Sequence, residues 1–289
     1  MKSVRWAIIG MGVFATTATF AVAQSGAFGR FARAVGADDT SVAANQGRAG
    51  TGEAAQDFRW AGRLDAGEVV EIKGINGDIS VTPASGSEIE VVAEARGRKS
   101  DASTVRIERV DHADGVTFCA VYPTPEGERI NECAPGSNGR MSTRNNDVSV
   151  DFEIRLPADL HFIGRTVNGE VFAHDLGGDV TAETVNGDIE VSTEGFARAE
   201  TVNGDIDIEM GASDFTDGAG FSTVNGSITL DVADGVDADV NASWLNGGFE
   251  SDLPFTLEGR IGKRNARGML GDGGPTLELA TVNGSIHIR

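Results

Sequence analysis

The sequence predicts an all-β chain: a parallel β-solenoid or β-helix-like repeat domain, preceded by a signal peptide and a flexible spacer. Three observations predict it. Asn-Gly occurs eight times in 289 residues, and seven copies sit in the octad Thr-Val-Asn-Gly-(Asp/Ser)-Ile-x-(Val/Ile/Leu) or a variant of it. These octads recur at a period of about 20 residues, a spacing of stacked repeat architectures. After the spacer, apolar residues follow the strand period of two, with frequent glycine and no helical pattern.

The leader comes first. Lys2 and Arg5 form a basic start, an apolar stretch runs from Trp6 to Phe20, and Ala21-Val22-Ala23 supplies an A-x-A site before Gln24. The stretch is short and rich in Gly, Ala and Thr, whereas a span wants about 20 strongly apolar residues. No stable membrane span is therefore expected after cleavage, and the expected location is exported, in the periplasm or at the cell surface. No cysteine closely follows the apolar stretch, so lipid attachment to an N-terminal cysteine is not expected. Residues 24–57 are Gly/Ala/Ser-rich and read as the linker.

The formal net charge is −20, and loss of the leader, which carries two basic residues and no acid, takes it to −22. Such a chain repels phosphate backbones, which excludes nucleic acid as a partner. The two cysteines, Cys119 and Cys133, read as a disulfide of an exported protein. Closing a loop of about 15 residues stabilises by roughly 3 kcal/mol on chain-entropy grounds.

Residues 58–160 read as an N-terminal β-strand region containing this loop. Alternation marks strands at Val70/Ile72, Ile79/Val81 and Ile89/Val91, and a hairpin turns at Asp114-Gly115 between Val105/Ile107 and Val116/Phe118/Ala120. The cleanest strand runs through Val148, Val150, Phe152, Ile154 and Leu156, and Pro157 ends it. Residues 161–289 carry the repeats, continuous with the first region. Their asparagines are Asn168, Asn186, Asn203, Asn225, Asn246 and Asn283, at steps of 18, 17, 22, 21 and 37. The last step is about double, which implies a turn near Gly259–Gly271 that has lost its motif. Gly169, Gly178, Gly187, Gly195 and Gly204 mark a half-period, hence two corners per rung.

Asn-Gly between apolar runs is also a hairpin signal. A two-residue hairpin at Asn186-Gly187 would pair Val185 with Asp188, Thr184 with Ile189 and Glu183 with Glu190, mixing polar with apolar and setting acid against acid. A strand that bends and continues avoids this. Val185, Ile189 and Val191 then share one face, as do Val202/Ile206/Ile208, Val224/Ile228/Leu230 and Val282/Ile286/Ile288. These are the expected core columns. Stacked asparagines at the corners form an expected amide ladder. The competing architecture is an antiparallel sandwich.

The run Val150-Asp-Phe-Glu-Ile-Arg-Leu-Pro157, followed by successive TVNG(D/S)I copies, resembles the bacterial putative-adhesin family of β-strand repeat proteins, over about Phe58 to Arg289. The resemblance implies an all-β, β-helix-like fold and an envelope or surface location. It brings no catalytic residues. The cysteine-closed insertion and the irregular rung near Gly259–Gly271 depart from the family's plainest pattern.

The function expected is a non-enzymatic envelope scaffold or adhesin-like surface, with an envelope protein or glycan as partner and no cofactor. None of His112, His161, His174 and His287 has metal-ligand spacing, and G-x-S-x-G is absent. One alternative is a carbohydrate-active β-helix enzyme using outward carboxylates of adjacent rungs. Another is a calcium-stabilised roll, with Asp188 and Asp205 as weak cation contacts; the full nonapeptide motif is missing. Trp244 is expected on the exposed phase, with Leu245 in the valine column. The terminal repeat, Thr281–Arg289, is either covered or an edge open to self-association.

Overall fold

The computed structural model describes residues 53–54, 58–211, 218–233, 235–257 and 262–289. The expected leader and all but the end of the linker lie outside the described residues. Among the described residues there is no α-helix. The first strands are β1 (Glu53–Ala54), β2 (Phe58–Gly62), β3 (Val69–Lys73), β4 (Ile79–Pro83), β5 (Ile89–Arg96), β6 (Arg106–His112), β7 (Gly115–Val121) and β8 (Ser149–Leu156). The repeat region supplies β9 (His161–Arg165), β10 (Val171–Leu176), β11 (Val180–Glu183), β12 (Ile189–Thr193), β13 (Ala197–Glu200), β14 (Ile206–Met210), β15 (Ala219–Asn225) and β16 (Ile228–Val232). Last come β17 (Ala238–Asn246), β18 (Phe249–Ser251), β19 (Phe255–Leu257), β20 (Asn265–Leu270), β21 (Thr276–Asn283) and β22 (Ile286–Ile288).

These strands form two large, mostly parallel sheets. The first has the order β1-β6-β7-β3-β9-β11-β13-β15-β21-β17-β20-β19 and the second β18-β22-β16-β14-β12-β10-β4-β8-β5-β2. From β9 to β16 the chain alternates between them, and within this run each strand pairs in parallel with its equivalent in the adjacent repeat. Antiparallel strands finish three of the four sheet ends, β6 and β1 on β7, β5 and β2 on β8, and β20 and β19 on β17, while the second sheet ends on β18, parallel to β22. At the first end Trp60 lies 5.0 Å from the Phe118 ring and Arg109 caps it at 5.5 Å.

The Asn-Gly corner passes the chain from the first sheet to the second, and backbone crowding there demands glycine. A Cβ on Gly187 would sit 2.0 Å from the Gly169 carbonyl oxygen, and one on Gly204 would sit 1.9 Å from that of Gly187. No side chain fits at such distances, so the glycines stack as a column without side chains. Gly178 and Gly195 mark the opposite corner in the same way, each approaching the backbone of the preceding rung.

The corner also corrects the expected core. Ile189, Val191, Ile206, Ile208, Ile228, Leu230, Ile286 and Ile288 are buried at 0–1% exposure. Four valines of the expected columns are not fully buried: Val185, Val202 and Val224 are half-buried and Val282 is 37% exposed. Threonine takes that place, with Thr184, Thr201, Thr223 and Thr281 all buried. Each sheet has its own inward direction, so parity does not carry across a corner. The inward residue therefore lies five positions before the isoleucine, not four. The threonine methyl joins the core while its hydroxyl donates to a glycine carbonyl of the neighbouring rung, Thr184 to Gly169 at 2.9 Å and Thr201 to Gly187 at 3.1 Å.

The long step between Asn246 and Asn283 has a different cause from a lost motif. The C-terminal repeat does not stack outermost. β21 lies between β15 and β17, and β22 lies between β16 and β18, so the last rung in sequence is inserted before the Asn246 rung. The intervening chain supplies β19 and β20. The C-terminal strand is thus paired on both sides, which is the covered one of the two alternatives for the terminal repeat. Trp244 is also corrected. It occupies the threonine position of the outermost Asn-Gly rung, is buried at 7% exposure, and stacks on Phe249 at 6.1 Å, while Leu245 is 44% exposed.

Gly204→Ala and Asn203→Ala separate the two corner devices. The alanine methyl has no space, so Gly204→Ala is expected to cost at least about 2 kcal/mol. Asn203→Ala removes two solvent-exposed amide bonds and is expected to cost about 1–2 kcal/mol. Urea unfolding of both variants checks the order; equal or inverted losses would contradict the crowding account.

Candidate functional site

Seven Asn-Gly corners stack in the order Asn76, Asn168, Asn186, Asn203, Asn225, Asn283, Asn246. Each asparagine after the first donates from Nδ2 to Oδ1 of the one before it, at 2.7–2.8 Å. Asn76 itself donates to the Val148 carbonyl at 3.2 Å. The residue after glycine has a related task. Asp188 Oδ1 accepts the Asp205 N–H at 2.8 Å, and Asp205 Oδ1 accepts the Ser227 N–H at 2.7 Å. The two aspartates weighed as cation contacts are therefore partners of backbone amides. Among the described residues no three His, Cys, Asp or Glu side chains converge as a metal-binding group.

The outer face of the second sheet is acidic. Glu190 pairs in register with Asp207, and Glu209 with Asp231. Two residues at the end of the chain meet carboxylates on this face: Arg289 Nε is 3.0 Å from Asp231, and His287 Nε2 is 3.0 Å from Asp252. Burial pushes the Glu170 carboxyl above its ordinary value, and neighbouring Asp78 and Asp188 push it further. Asp207 is raised by burial and by Asp231, Glu190 and Asp205, against the opposing pull of Arg289. A concavity of ≈ 370 Å³ at the opposite corner is lined by Asp175, Glu194, Glu209 and Asp231 with Met210 and Val232.

The outer face of the first sheet carries the more elaborate chemistry. The residue before each Thr-Val-Asn-Gly, or its equivalent, forms a column across the sheet: Lys73, Arg165, Glu183, Glu200, Ser222, Ala280, Ser243. At its start the charges are buried beneath the segment that follows the disulfide. Cys119 and Cys133 are bonded, with Cα atoms 5.7 Å apart. Lys73 Nζ donates to the carbonyls of Ala134, Gly136 and Asn138. Burial holds Lys73 below the ordinary lysine value, with Glu71 opposing that shift. Glu71, 2% exposed, accepts from Thr117 Oγ1 at 2.8 Å and from the Gly136 N–H at 2.9 Å, and it pairs with Arg165. Arg165 also grips Glu183 through Nε at 2.9 Å and Nη2 at 3.2 Å.

Beyond this cover the face opens into a groove of ≈ 340 Å³, lined among others by Ile163, Thr181, Glu183, Arg198, Glu200 and Glu278. Partial burial and the adjacent Glu183 raise the Glu200 carboxyl above its ordinary value. Sequence reasoning missed this face, although the signal was present. Residues immediately before successive motifs read Lys, Arg, Glu, Glu, a charge order that brings Arg165 against Glu183 once the rungs stack.

Removing Arg165 leaves Glu71 buried with only Lys73, at 3.8 Å, to offset it. Arg165→Met is therefore expected to destabilise by about 3 kcal/mol, and Glu71→Gln in the same chain to recover much of that. Urea titration of the two single variants and the double variant measures the coupling, and simple additivity would contradict it.

The acidic face predicts a pH dependence. A raised carboxyl pKa means that the folded state binds protons more readily than the unfolded state, so ionisation at neutral pH opposes folding. Its contribution to stability is expected to rise as pH falls from neutral through the raised range of Glu170 and Asp207. Glu170→Gln with Asp207→Asn should raise the thermal midpoint at pH 7 and flatten its dependence between pH 7 and the ordinary carboxylate range. Each relieved like-charge contact is worth roughly 0.2–1 kcal/mol. An unchanged profile would contradict this reading.

No protein-family model matches this chain, and no curated protein matches it. Among solved structures it is similar to a putative cell adhesion protein from Clostridium sporogenes, at a TM-score of 0.40 and 9% identity, over 80% of this chain and 98% of that one. It is also similar to a putative adhesin from Bacteroides fragilis, at a TM-score of 0.31 and 9% identity, over 81% of this chain and 97% of that one.

Proposed function

We propose that this chain is an exported, non-enzymatic parallel β-solenoid that presents its outer faces as an adhesin-like binding surface or scaffold of the cell envelope. The observation that carries this reading is the use of the repeat's polar residues. Asparagine amides, threonine hydroxyls and the aspartates after glycine bind the neighbouring rung, so the motif is a stacking device. What varies from rung to rung is the outward side chains, and those define a surface. The sequence of residues 1–23 supports export, and a bonded Cys119–Cys133 suits an oxidising compartment. An envelope protein or an envelope glycan is the class of partner.

The reading makes two measurable statements about the chain after the leader, residues 24–289. Its thermal midpoint by far-UV circular dichroism is expected to be the same in calcium and in excess chelator, because rung contacts are made by amides and hydroxyls. A chelator-dependent drop would make a calcium-stabilised roll the better description. Immobilised chain is expected to retain envelope protein or glycan from defined panels. Failure against both panels, or turnover of a glycan, would sink the binding-surface reading.

A further inference from the structure

The outer face of the first sheet is covered along its first rungs and open along the rest, and the difference indicates what the open part takes. The corner column on this face runs Ile75, Val167, Val185, Val202, Val224, Val282, Leu245, set by the asparagine ladder next to it. Ile75 and Val167 are buried at 1% and 7% exposure. Val185, Val202 and Val224 are half-buried, and Val282 and Leu245 are 37% and 44% exposed. An aliphatic stripe therefore emerges along the stack, one side chain per rung, at the strand spacing of about 4.8 Å. The neighbouring columns hold Glu200 and Glu278 in the groove. Glu183 is already held by Arg165, whereas no cation among the described residues lies within ion-pair distance of Glu200 or Glu278.

The chain covers the first rungs with its own backbone. Lys73 donates to three carbonyls of that segment, Gly136 donates to Glu71, and the Tyr122 hydroxyl donates to the Val148 carbonyl at 2.9 Å beside the Asn76 corner. This face thus already accepts irregular polypeptide laid over it. On the covered rungs both signs of charge come from within the sheet. On the open rungs Glu200 and Glu278 lie beside the aliphatic stripe, and the cation of the same groove, Arg198, is held by the Gly218 carbonyl at 3.0 Å. Trp244 at this end is buried, and Phe249 and Phe255 pack together beside it, so the stripe itself consists of aliphatic groups.

We propose that the open part of this face is a docking surface for an extended polypeptide segment of a partner protein, one that alternates apolar and basic side chains. Its apolar groups cover Val202, Val224, Val282 and Leu245, and its ammonium or guanidinium groups reach Glu200 and Glu278. This inference deepens the binding-surface reading and rests on it for the premise that the chain has a partner.

The test uses residues 24–289 and three fluorescein-labelled ten-residue peptides: (Val-Lys)5, (Ser-Lys)5 and (Val-Glu)5. Fluorescence anisotropy is read at about physiological ionic strength, where long-range attraction is screened. The expected result is binding of (Val-Lys)5, with the other two at least about tenfold weaker. Val202→Ser with Val224→Ser, and separately Glu200→Gln, should each weaken (Val-Lys)5 at least about tenfold while leaving the circular dichroism midpoint in place. Absence of (Val-Lys)5 binding overturns the proposal. So does equal binding of (Ser-Lys)5, or loss of binding on Glu190→Gln with Asp207→Asn and not on the first-sheet variants, which would assign the peptide to the other face. If the chain retains glycans or envelope proteins from the panels but ignores (Val-Lys)5, this inference fails and the broader reading stands. If it retains nothing, both fail.

Discussion

Close contact of backbone with backbone at the Asn-Gly corner is the constraint on which the structure depends. A Cβ at Gly169, Gly187, Gly204, Gly226 or Gly284 would approach the preceding rung's carbonyl oxygen to 1.9–2.0 Å. The corner can turn tightly only if that position carries no side chain, and the sheets on either side stay in register only if every corner turns alike. Once the glycines are stacked, their neighbours follow. Asparagine bonds to asparagine, threonine reaches the glycine carbonyl, and aspartate or serine caps the next amide. Each bond is worth about 1 kcal/mol net, and their number compensates for their individual weakness.

The same stacking makes charge additive along the outer faces. On a helix or in an antiparallel hairpin, a run of acids can point in several directions. Here equivalent positions align on one face. The second sheet consequently gathers carboxylates whose ionisation opposes folding, and the chain moderates this with Arg289, just after its final strand. On the first sheet the same rule produces the opposite result. Lys73 and Arg165 both pair with Glu71 beneath the cover, Arg165 also pairs with Glu183, and this pairing allows charged groups to be buried.

The ends of the stack show how a parallel repeat is finished. Parallel strands leave open edges. Here antiparallel strands from non-repeat sequence lie on three of the four sheet ends, the second sheet ends on the three-residue β18 in parallel with β22, and the terminal repeat is drawn inside the stack. Both the disulfide-held segment and the excursion before β21 are therefore parts of the closure. The first also creates the boundary between the covered and the open parts of the first sheet's face.

The sequence by itself determined the class of fold, the corner positions, the asparagine column and the isoleucine columns, because each depends on a local pattern repeated in phase. The alternation through Val148–Leu156 and the turn at Asp114-Gly115 are legible for the same reason, and they appear as β8 and as the β6–β7 hairpin. Only the tertiary structure decided which residue before Asn-Gly faces inward, since the corner changes the inward direction and a period of two cannot report that change. It alone placed the Asn283 rung between those of Asn225 and Asn246, because spatial neighbours in a stack are chosen by pairing and not by chain order. It alone turned Lys73, Arg165, Glu183 and Glu200 into one column, since residues up to 127 positions apart become neighbours only when the rungs lie on one another.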